Sequence, residues 1–358
     1  MAEVLGKLEL TLLSQLRVRT KGVMTKAFQS MMDRCLREKD NSSSSGQSND
    51  SPRESDSKTD TQLYRQFSVA DILVATWNFH KSFLVHNSDK VYKGFVNTDD
   101  KALVVAIKKF RTLEAFGDVI DPKKLLLHPN ILSPIGFCTE RDGLILVHDY
   151  MANGSMQDHL YHTDTPLSWK RRLEICIGAA QGLEYLHANG EHELIHRCIE
   201  PSSILLDRYW VAKVMHPNIR TTTNINEGIL GSVAIPYDSV DQEDDLYSFG
   251  VMLLEVLTCN KQLGIYRNPK YREVPLLCSL KDFLQSKNIA QVMDRHLIGK
   301  IGTESLREFV KITLSCLFQQ SIQRPSLDYI VRRLQHAADL QKKWLSSAGD
   351  RIQMIEFE

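Results

Sequence analysis

The stretch "KVYKGFVNTDDKALVVAIKKF", residues 90–110, decides how the first half of the chain folds. Its two runs, "KVYKGFV" (90–96) and "ALVVAIKKF" (102–110), are rich in β-branched residues, and the polar sequence "NTDD" separates them. Two such runs joined by a short polar turn predict an antiparallel hairpin. A third run, "LILVHDYM" (144–151), predicts another strand.

After residue 151 the pattern becomes helical. Ser168 is a predicted N-cap, and the side chains that recur after it at spacings of three and four are Leu173, Ile177, Ala180, Leu183 and His187. "DLYSFGVMLLEVLTC" (245–259) is almost wholly apolar and predicts a helix buried inside a lobe. Strands followed by helices predict an α+β chain with two segregated parts.

The bulk composition is that of a soluble globular protein. The chain has 358 residues, of which 42% are hydrophobic and 25% charged, and its 44 basic residues balance 44 acidic ones. A net charge of zero offers no broad basic field, so nucleic acid is excluded as the expected partner. The seven cysteines form no C-x-x-C pair, which favours a reduced intracellular compartment over a zinc site or a disulfide framework.

The two ends of the chain differ from its middle. Residues 1–40 carry leucines at positions 5, 8, 12 and 16, and residues 1–39 hold eight Lys/Arg against four Asp/Glu. This pattern predicts a basic amphipathic helix that either rests on an anionic membrane or a partner, or packs on its own domain. Residues 41–62 are Ser-rich and predict a disordered linker. The folded domain is expected at 63–345, with a C-terminal tail at 346–358.

Several targeting signals are also missing from the sequence. No apolar run approaches the roughly 18 residues of a membrane span. The N-terminus has no signal-peptide pattern, and the chain begins Met-Ala, without the Gly that myristoylation needs. The sequence therefore predicts a soluble intracellular protein.

An ordered set of motifs links these segments. They are "FSVADILVATWNF" (67–79), "VYKGF" (91–95), "VVAIKKF" (104–110), "HPNILSPIGFC" (128–138), "LVHDYMANGSM" (146–156), "LSWKRRLEICIGAAQGLEYLH" (167–187), "DLYSFGVMLLEVL" (245–257) and "QRPS" (323–326). As a set they resemble the eukaryotic protein kinases and, more narrowly, the plant receptor-like and receptor-like cytoplasmic kinases. The resemblance implies a two-lobed fold, with a β-rich N-lobe at about 63–147 and a helical C-lobe at about 148–345.

The segment that resembles the catalytic loop has lost its chemical groups. "IHRCIEPSSILLD" (195–207) keeps His196 and Arg197 as structural residues. Cys198 stands where the family has the Asp that accepts the substrate proton, and Ser203 stands at the metal-binding Asn. Glu200 replaces a lysine that steadies the γ-phosphate. Cys198 is either a nucleophile or a buried, inert thiol, and we favour the second interpretation.

The nucleotide site is partly retained. None of the three glycines of the phosphate-covering loop is present in "LVHNSDKVY" (84–92). Lys108 matches the lysine that contacts the α- and β-phosphates, but Val119 falls at or near the position of its glutamate partner, although Glu114 or Asp118 could reach it in a rearranged helix. The residues that match the adenine-sandwiching positions are Val91, Ala106 and Leu205. They would line a nucleotide slot or simply pack a core.

The metal site is expected to be absent. His216 occupies the position of the D-F-G aspartate, and imidazole is a poor ligand for magnesium, which prefers hard oxygen ligands. With Ser203 in place of Asn, both protein ligands are replaced. If ATP binds, it is therefore expected to bind without magnesium.

The remaining motif residues are structural or regulatory. The resemblance implies that Asp245 holds the loop backbone and that Arg324 pairs with the glutamate of an A-P-E motif. Tyr237 stands at that glutamate position, so Arg324 needs another partner, either Asp238 or an acid of "DQEDD" (241–245). The candidate phosphorylation sites are Thr221, Thr222 and Thr223, where a phosphate could pair with Arg197.

These observations predict a degenerate kinase, a pseudokinase that acts as a scaffold, adaptor or decoy in plant receptor-kinase or immune signalling. The resemblance implies active receptor-like kinases or leucine-rich-repeat immune receptors as partners. It also implies a cytoplasmic location, at the inner face of the plasma membrane if residues 1–40 contact lipid. The alternatives are an atypical ATP-dependent transferase and a nucleotide-sensing switch without metal.

Overall fold

A computed structural model describes residues 64–85, 91–97, 102–110, 127–140, 143–163, 165–188, 194–196, 198–215, 242–267 and 289–355. A β-sheet lobe precedes a helical lobe, which confirms the predicted α+β architecture. The expectations for residues 1–40 and 41–62 lie outside the described residues.

The N-lobe is built on a five-stranded sheet. The strands of this lobe and of the small sheet that follows are β1 (Arg65–Gln66), β2 (Val91–Asn97), β3 (Ala102–Phe110), β4 (Ile131–Leu132), β5 (Pro134–Glu140), β6 (Gly143–Asp149), β7 (Ile204–Leu206) and β8 (Ala212–Met215). The strand order is β1-β5-β6-β3-β2 in the large sheet and β4-β8-β7 in the small one. The predicted hairpin is confirmed, since β2 and β3 pair antiparallel with Val91 opposite Lys108.

One face of the large sheet packs against a short helix, α1 (Val69–Ala75). Val105 and Ile107 of β3 are buried with Ile72 and Ala75 of α1 in one hydrophobic cluster. A reciprocal capping box fixes the start of α1, because the Asp71 amide donates to Ser68 Oγ (3.1 Å) and the Ser68 amide donates to Asp71 Oδ2 (3.0 Å). The segment 67–79, which resembles the family, therefore covers one face of the N-lobe core with α1.

The C-lobe is helical. Its α-helices are α2 (Met156–Tyr161), α3 (Trp169–Ala188), α4 (Gln242–Thr258), α5 (Thr303–Cys316) and α6 (Leu327–Ile355). Short 3-10 turns lie at Lys81–Phe83, Pro201–Ser203, Lys261–Arg267, Ile289–Gln291, Arg295–Leu297 and Ser321–Gln323. The predicted N-cap of α3 is present, since the Arg171 amide donates to Ser168 Oγ (3.3 Å).

Helix α4 is the centre of the C-lobe core. Every residue from 245 to 257 is buried, as the apolar run predicted. Helix α6 crosses the domain boundary expected at residue 345 and continues to Ile355. Among the described residues, none of the helices is long and apolar enough to cross a membrane.

A buried ionic group ties α3 to the chain after α4. The Arg172 guanidinium pairs with Asp294 and also donates to the Val256 carbonyl (2.6 Å). Burial raises the pKa of the Cys259 thiol to about 11, so the thiol stays protonated and donates to Asp294 (3.1 Å). Removing only one partner of such a buried ion pair is strongly destabilising, because the other charge is then left buried without compensation.

The two lobes meet at the "HPN" sequence, residues 128–130. Asn130 Nδ2 donates to the Ala212 carbonyl (3.0 Å), and the Asn130 carbonyl accepts from the Val214 amide (2.8 Å). A side chain at Gly182 would place its Cβ only 2.5 Å from the Asn130 carbonyl oxygen. Helix α3 therefore needs a glycine here so that the N-lobe can approach it.

Candidate functional site

The loop that carries the degenerate motif is suspended from α4. Asp245 Oδ2 accepts hydrogen bonds from the His196 amide (2.6 Å) and from His187 Nε2 (2.9 Å). One turn later, Ser248 Oγ accepts from the Ile199 amide (3.1 Å). Since Asp245 and Ser248 are themselves buried, this backbone is held as firmly as the core that surrounds it.

The side chains of this loop differ in how deeply they are buried. His196 and Ile199 are buried, whereas Cys198 between them is only half-buried. The expectation of a buried, inert thiol is thus corrected in part. From Cys198 to Ser203 the side chains are alternately half-buried and buried. Arg197 lies outside the described residues.

The position of the metal-binding Asn is filled by a hydroxyl that serves the backbone. Ser203 is completely buried, its Oγ donates to the Glu200 carbonyl (2.8 Å), and it accepts from the Glu200 amide (3.1 Å). The Glu200 carboxylate accepts a bond from the Ser202 hydroxyl. Magnesium requires accessible hard oxygen ligands, so this buried hydroxyl does not fit the ion.

The predicted nucleotide residues lie on strands of both sheets. Val91 and Ala106 are half-buried on β2 and β3, and Leu205 is half-buried on β7. Lys108 is half-buried as well, and its Nζ lies 5.2 Å from the centre of the Phe110 ring. Apolar residues that a core would bury completely here keep part of their surface open, which fits a slot for a flat ring.

Comparisons with known proteins agree with this geometry. Residues 86–334 match the family model described as protein tyrosine and serine/threonine kinase. The chain belongs to the protein kinase family. It is 36% identical over 304 residues to the receptor-like protein kinase FERONIA of Arabidopsis thaliana, an alignment that covers 79% of this chain and 33% of that protein.

Two further relatives from Arabidopsis thaliana are also receptor-like protein kinases. THESEUS 1 is 36% identical over 79% of this chain and 35% of its own length, and ANXUR1 is 35% identical over 78% of this chain and 35% of its own length. The chain therefore spans about a third of the length of the curated relatives it matches. These relatives are receptor-like kinases, whereas the sequence motifs pointed more narrowly to the receptor-like cytoplasmic kinases.

Arg324, for which the sequence predicted an acidic partner, donates hydrogen bonds to the main chain. It donates to the carbonyls of Glu243 (2.6 Å), Phe318 (3.0 Å) and Gln319 (3.2 Å). Its guanidinium also lies 5.2 Å from the centre of the Tyr247 ring. Glu243 belongs to the acidic run proposed from the sequence, but the observed contact uses its main-chain oxygen.

Sequence reasoning missed one residue that lies next to the predicted nucleotide positions, His148. It lies opposite Ala106 in the β3–β6 pairing and is buried. Residues directly opposite each other in an antiparallel pair project to the same face of the sheet. His148 is therefore on the face that carries Ala106 and Lys108. The polar residue inside the apolar run "LILVHDYM" was the signal that could have identified it.

Other predicted positions cannot be placed. His216 and the threonines Thr221, Thr222 and Thr223 lie outside the described residues, as do Glu114, Asp118 and Val119. Within the described ranges, His, Cys, Asp and Glu side chains form no group of three that could hold a metal ion.

Proposed function

We propose that this kinase-family chain is a pseudokinase, whose function is to bind partners rather than to transfer phosphate. The proposal is carried by the contrast within one loop. Asp245 and Ser248 hold its backbone from α4, whereas Ser203 at the metal position is buried and bonded to Glu200. The bonds that anchor the loop backbone are present, whereas the Ser203 hydroxyl at the metal-ligand position is buried and bonded within the loop.

The chemistry that remains is insufficient for phosphoryl transfer. Cys198 carries a thiol and offers no carboxylate to the substrate hydroxyl. Glu200 puts a negative charge where a lysine would meet the γ-phosphate. Losing a general base alone typically costs about 10²–10⁴-fold in rate, and the loss of metal ligands removes electrostatic stabilisation as well.

A pseudokinase keeps two lobes that other proteins can recognise. By analogy with plant receptor-like cytoplasmic kinases, we propose a scaffold, adaptor or decoy role in receptor-kinase or immune signalling. The proposed partners are active receptor-like kinases or leucine-rich-repeat immune receptors. The proposed location is the cytoplasm, and residues 1–40 would add peripheral membrane contact.

A second candidate is a nucleotide-sensing switch that binds ATP without magnesium. The half-buried side chains of Val91, Ala106 and Leu205, together with Lys108, favour it. Such a switch would use the apolar slot for adenine and the lysine for phosphate, and it would need none of the replaced acids.

The test is a thermal shift of the full chain with excess ATP, with and without magnesium or manganese, combined with transfer of label from the γ-phosphate. ATP at 100 times its Kd adds about 2.7 kcal/mol, or roughly 5–10 °C in Tm for a chain of this size. We expect no transfer of label and no metal-dependent shift.

The matched variant is Lys108→Met, which removes the lysine proposed to contact the phosphates. A shift without metal that Lys108→Met abolishes would support the nucleotide switch, whereas no shift supports a pure scaffold. Metal-dependent label transfer that disappears in Lys108→Met would overturn the pseudokinase proposal and restore an atypical transferase.

A further inference from the structure

Helix α1 is apolar on the side that faces solvent. Its sequence "VADILVA" contains one polar residue, Asp71, which is exposed in the first turn and bonded to Ser68. Ile72 and Ala75 are buried against the sheet, yet Val69 is 39% exposed and Val74 is 63% exposed on the rest of the helix. A helix that is apolar all round is normally covered on all sides. We call Val69, Val74 and the Trp77 that follows them the outer face of α1.

The turn after α1 displays Trp77. Trp77, Asn78 and Phe79 have positive φ angles of 52°, 57° and 52°. The buried Thr76 holds this turn, because its Oγ1 donates to the Ile72 carbonyl (2.7 Å) and accepts from the Phe79 amide (3.1 Å). Bulky residues seldom adopt positive φ, and such conformations persist only where surrounding bonds enforce them.

The effect of the turn is to separate two aromatic side chains. Phe79 packs edge-on against Tyr92, with their ring centres 5.1 Å apart. Trp77 instead stays 42% exposed beside Phe83, whose ring centre is 6.2 Å away. The left-handed turn therefore adds an indole ring to the apolar outer face.

Basic side chains lie on the segments that flank this face in the fold. Lys109 Nζ lies 5.6 Å from the centre of the Phe79 ring, Lys81 is exposed in the 3-10 turn that contains Phe83, and Arg65 precedes α1 on β1. Across residues 64–85, 91–97 and 102–110, the charged side chains are Arg65, Lys81, Lys93, Lys108 and Lys109 against Asp71 alone. With the exposed Asp149 at the end of β6 included, these five basic side chains stand against two acidic ones, so this part of the chain has an excess of positive charge although the whole chain is neutral.

We propose that the outer face of α1 docks onto an anionic lipid surface, with Val69, Val74 and Trp77 entering the headgroup region. Tryptophan is enriched at membrane–water interfaces, and lysine and arginine are attracted to anionic headgroups. Aliphatic side chains on the convex surface of a short helix suit a fluid surface, which needs no shaped pocket. This docking is independent of whether the kinase cleft is active.

Charge argues against a second copy of the chain as the occupant. In a two-fold symmetric dimer the same patch meets itself, so Lys81 and Lys109 of one chain would approach the basic side chains of the other. Like charges placed opposite each other across an interface oppose association. An anionic surface has the complementary charge.

The test uses the full chain with vesicles of phosphatidylcholine alone and of phosphatidylcholine with 30% phosphatidylserine. We expect binding to the anionic vesicles that weakens as salt is raised. Lys81→Glu and Lys109→Glu should each weaken it by about fivefold or more, since one cation near such a surface contributes that much. Val74→Ser and Trp77→Ser should weaken it as well.

Matched controls come from the C-lobe. Ile322 is 91% exposed, and Lys311 is exposed on α5, so Ile322→Ser and Lys311→Glu make the same chemical changes away from the outer face. Neither should alter vesicle binding. Far-ultraviolet circular dichroism of every variant checks that these surface changes leave the fold unaltered.

A site-specific readout separates this face from any other lipid-binding segment. Brominated lipids quench a tryptophan that enters the bilayer, so quenching should be larger in the natural chain than in Trp77→Phe. Equal quenching, or vesicle binding unchanged in all four outer-face variants, would overturn the proposal. Loss of self-association in Val74→Ser, seen by sedimentation velocity without vesicles, would replace lipid with a second copy. Loss of binding to a purified receptor-kinase domain, with vesicle binding unchanged, would replace it with a protein partner.

Discussion

The two ends of the loop at residues 195–207 are stabilised in different ways. The first end depends on distant residues, because the His196 and Ile199 amides donate to Asp245 and Ser248 of α4. The second end closes on itself, since Ser203 bonds to Glu200 three residues earlier. The comparison indicates that the bonds anchoring the loop backbone to α4 can be retained while the metal-ligand position is occupied by a serine that bonds only to a nearby residue.

The largest predicted effect tests the first end. Asp245→Ala leaves the His196 amide and the His187 ring buried without their acceptor, so it should lower the free energy of unfolding by about 3 kcal/mol. Urea denaturation of the full chain measures this loss. The exposed Asp339 of α6 provides a control, and Asp339→Ala should change the free energy by less than about 0.5 kcal/mol. Equal losses in the two variants would contradict the anchoring role.

A smaller effect, which depends on pH, tests the buried carboxylate of Asp294. Burial alone would raise the pKa of Asp294, but bonds from Cys259, the His296 amide and Arg172, together with the Arg172 charge, hold it below its usual range. A depressed pKa stabilises the fold above the ordinary value of about 3.9, and this contribution is lost as pH falls through the folded value.

The free energy of unfolding should therefore decrease as the pH falls below about 4. In Asp294→Asn the same titration should be shallower, because this carboxylate no longer takes up a proton. The informative quantity is the slope of the free energy of unfolding against pH, measured by urea denaturation across pH 2 to 6 at constant ionic strength. The absolute loss of stability in the variant is less informative. An identical slope in both proteins would show that Asp294 does not contribute.

The smallest predicted effect belongs to the second end of the loop. Ser203→Ala removes two short-range bonds to Glu200 and should cost about 1 kcal/mol. Its ratio to the Asp245→Ala effect tests the comparison directly. A loss as large as that of Asp245→Ala would mean that the second end also supports the whole lobe.

Local patterns predicted the elements well. The β-branched runs gave the β2–β3 hairpin, the apolar run at 245–257 gave the fully buried part of α4, and Ser168 gave the start of α3. Each of these depends on neighbours within a few residues, so a single sequence is enough. The order of motifs also predicted the kinase family, which the matching family model confirms.

Contacts between distant segments were harder to predict. The sequence did not predict that the Arg324 guanidinium donates to three main-chain carbonyls; the acidic candidates Asp238 and Asp241 lie outside the described residues. It did not reveal the pairing of Arg172 with Asp294, which are far apart along the chain. Nor did it predict the positive φ angles that leave Trp77 on the surface.

The sequence by itself determined which groups of the kinase motif are replaced, because Cys198, Glu200 and Ser203 are identified by their positions in that motif. Only the tertiary structure decided where the remaining groups point. Ser203 is buried because the 3-10 turn folds it onto Glu200, and Val74 is exposed because the sheet covers only one side of α1. The type of a side chain determines which bonds it can make, but packing against distant elements determines which of those bonds form.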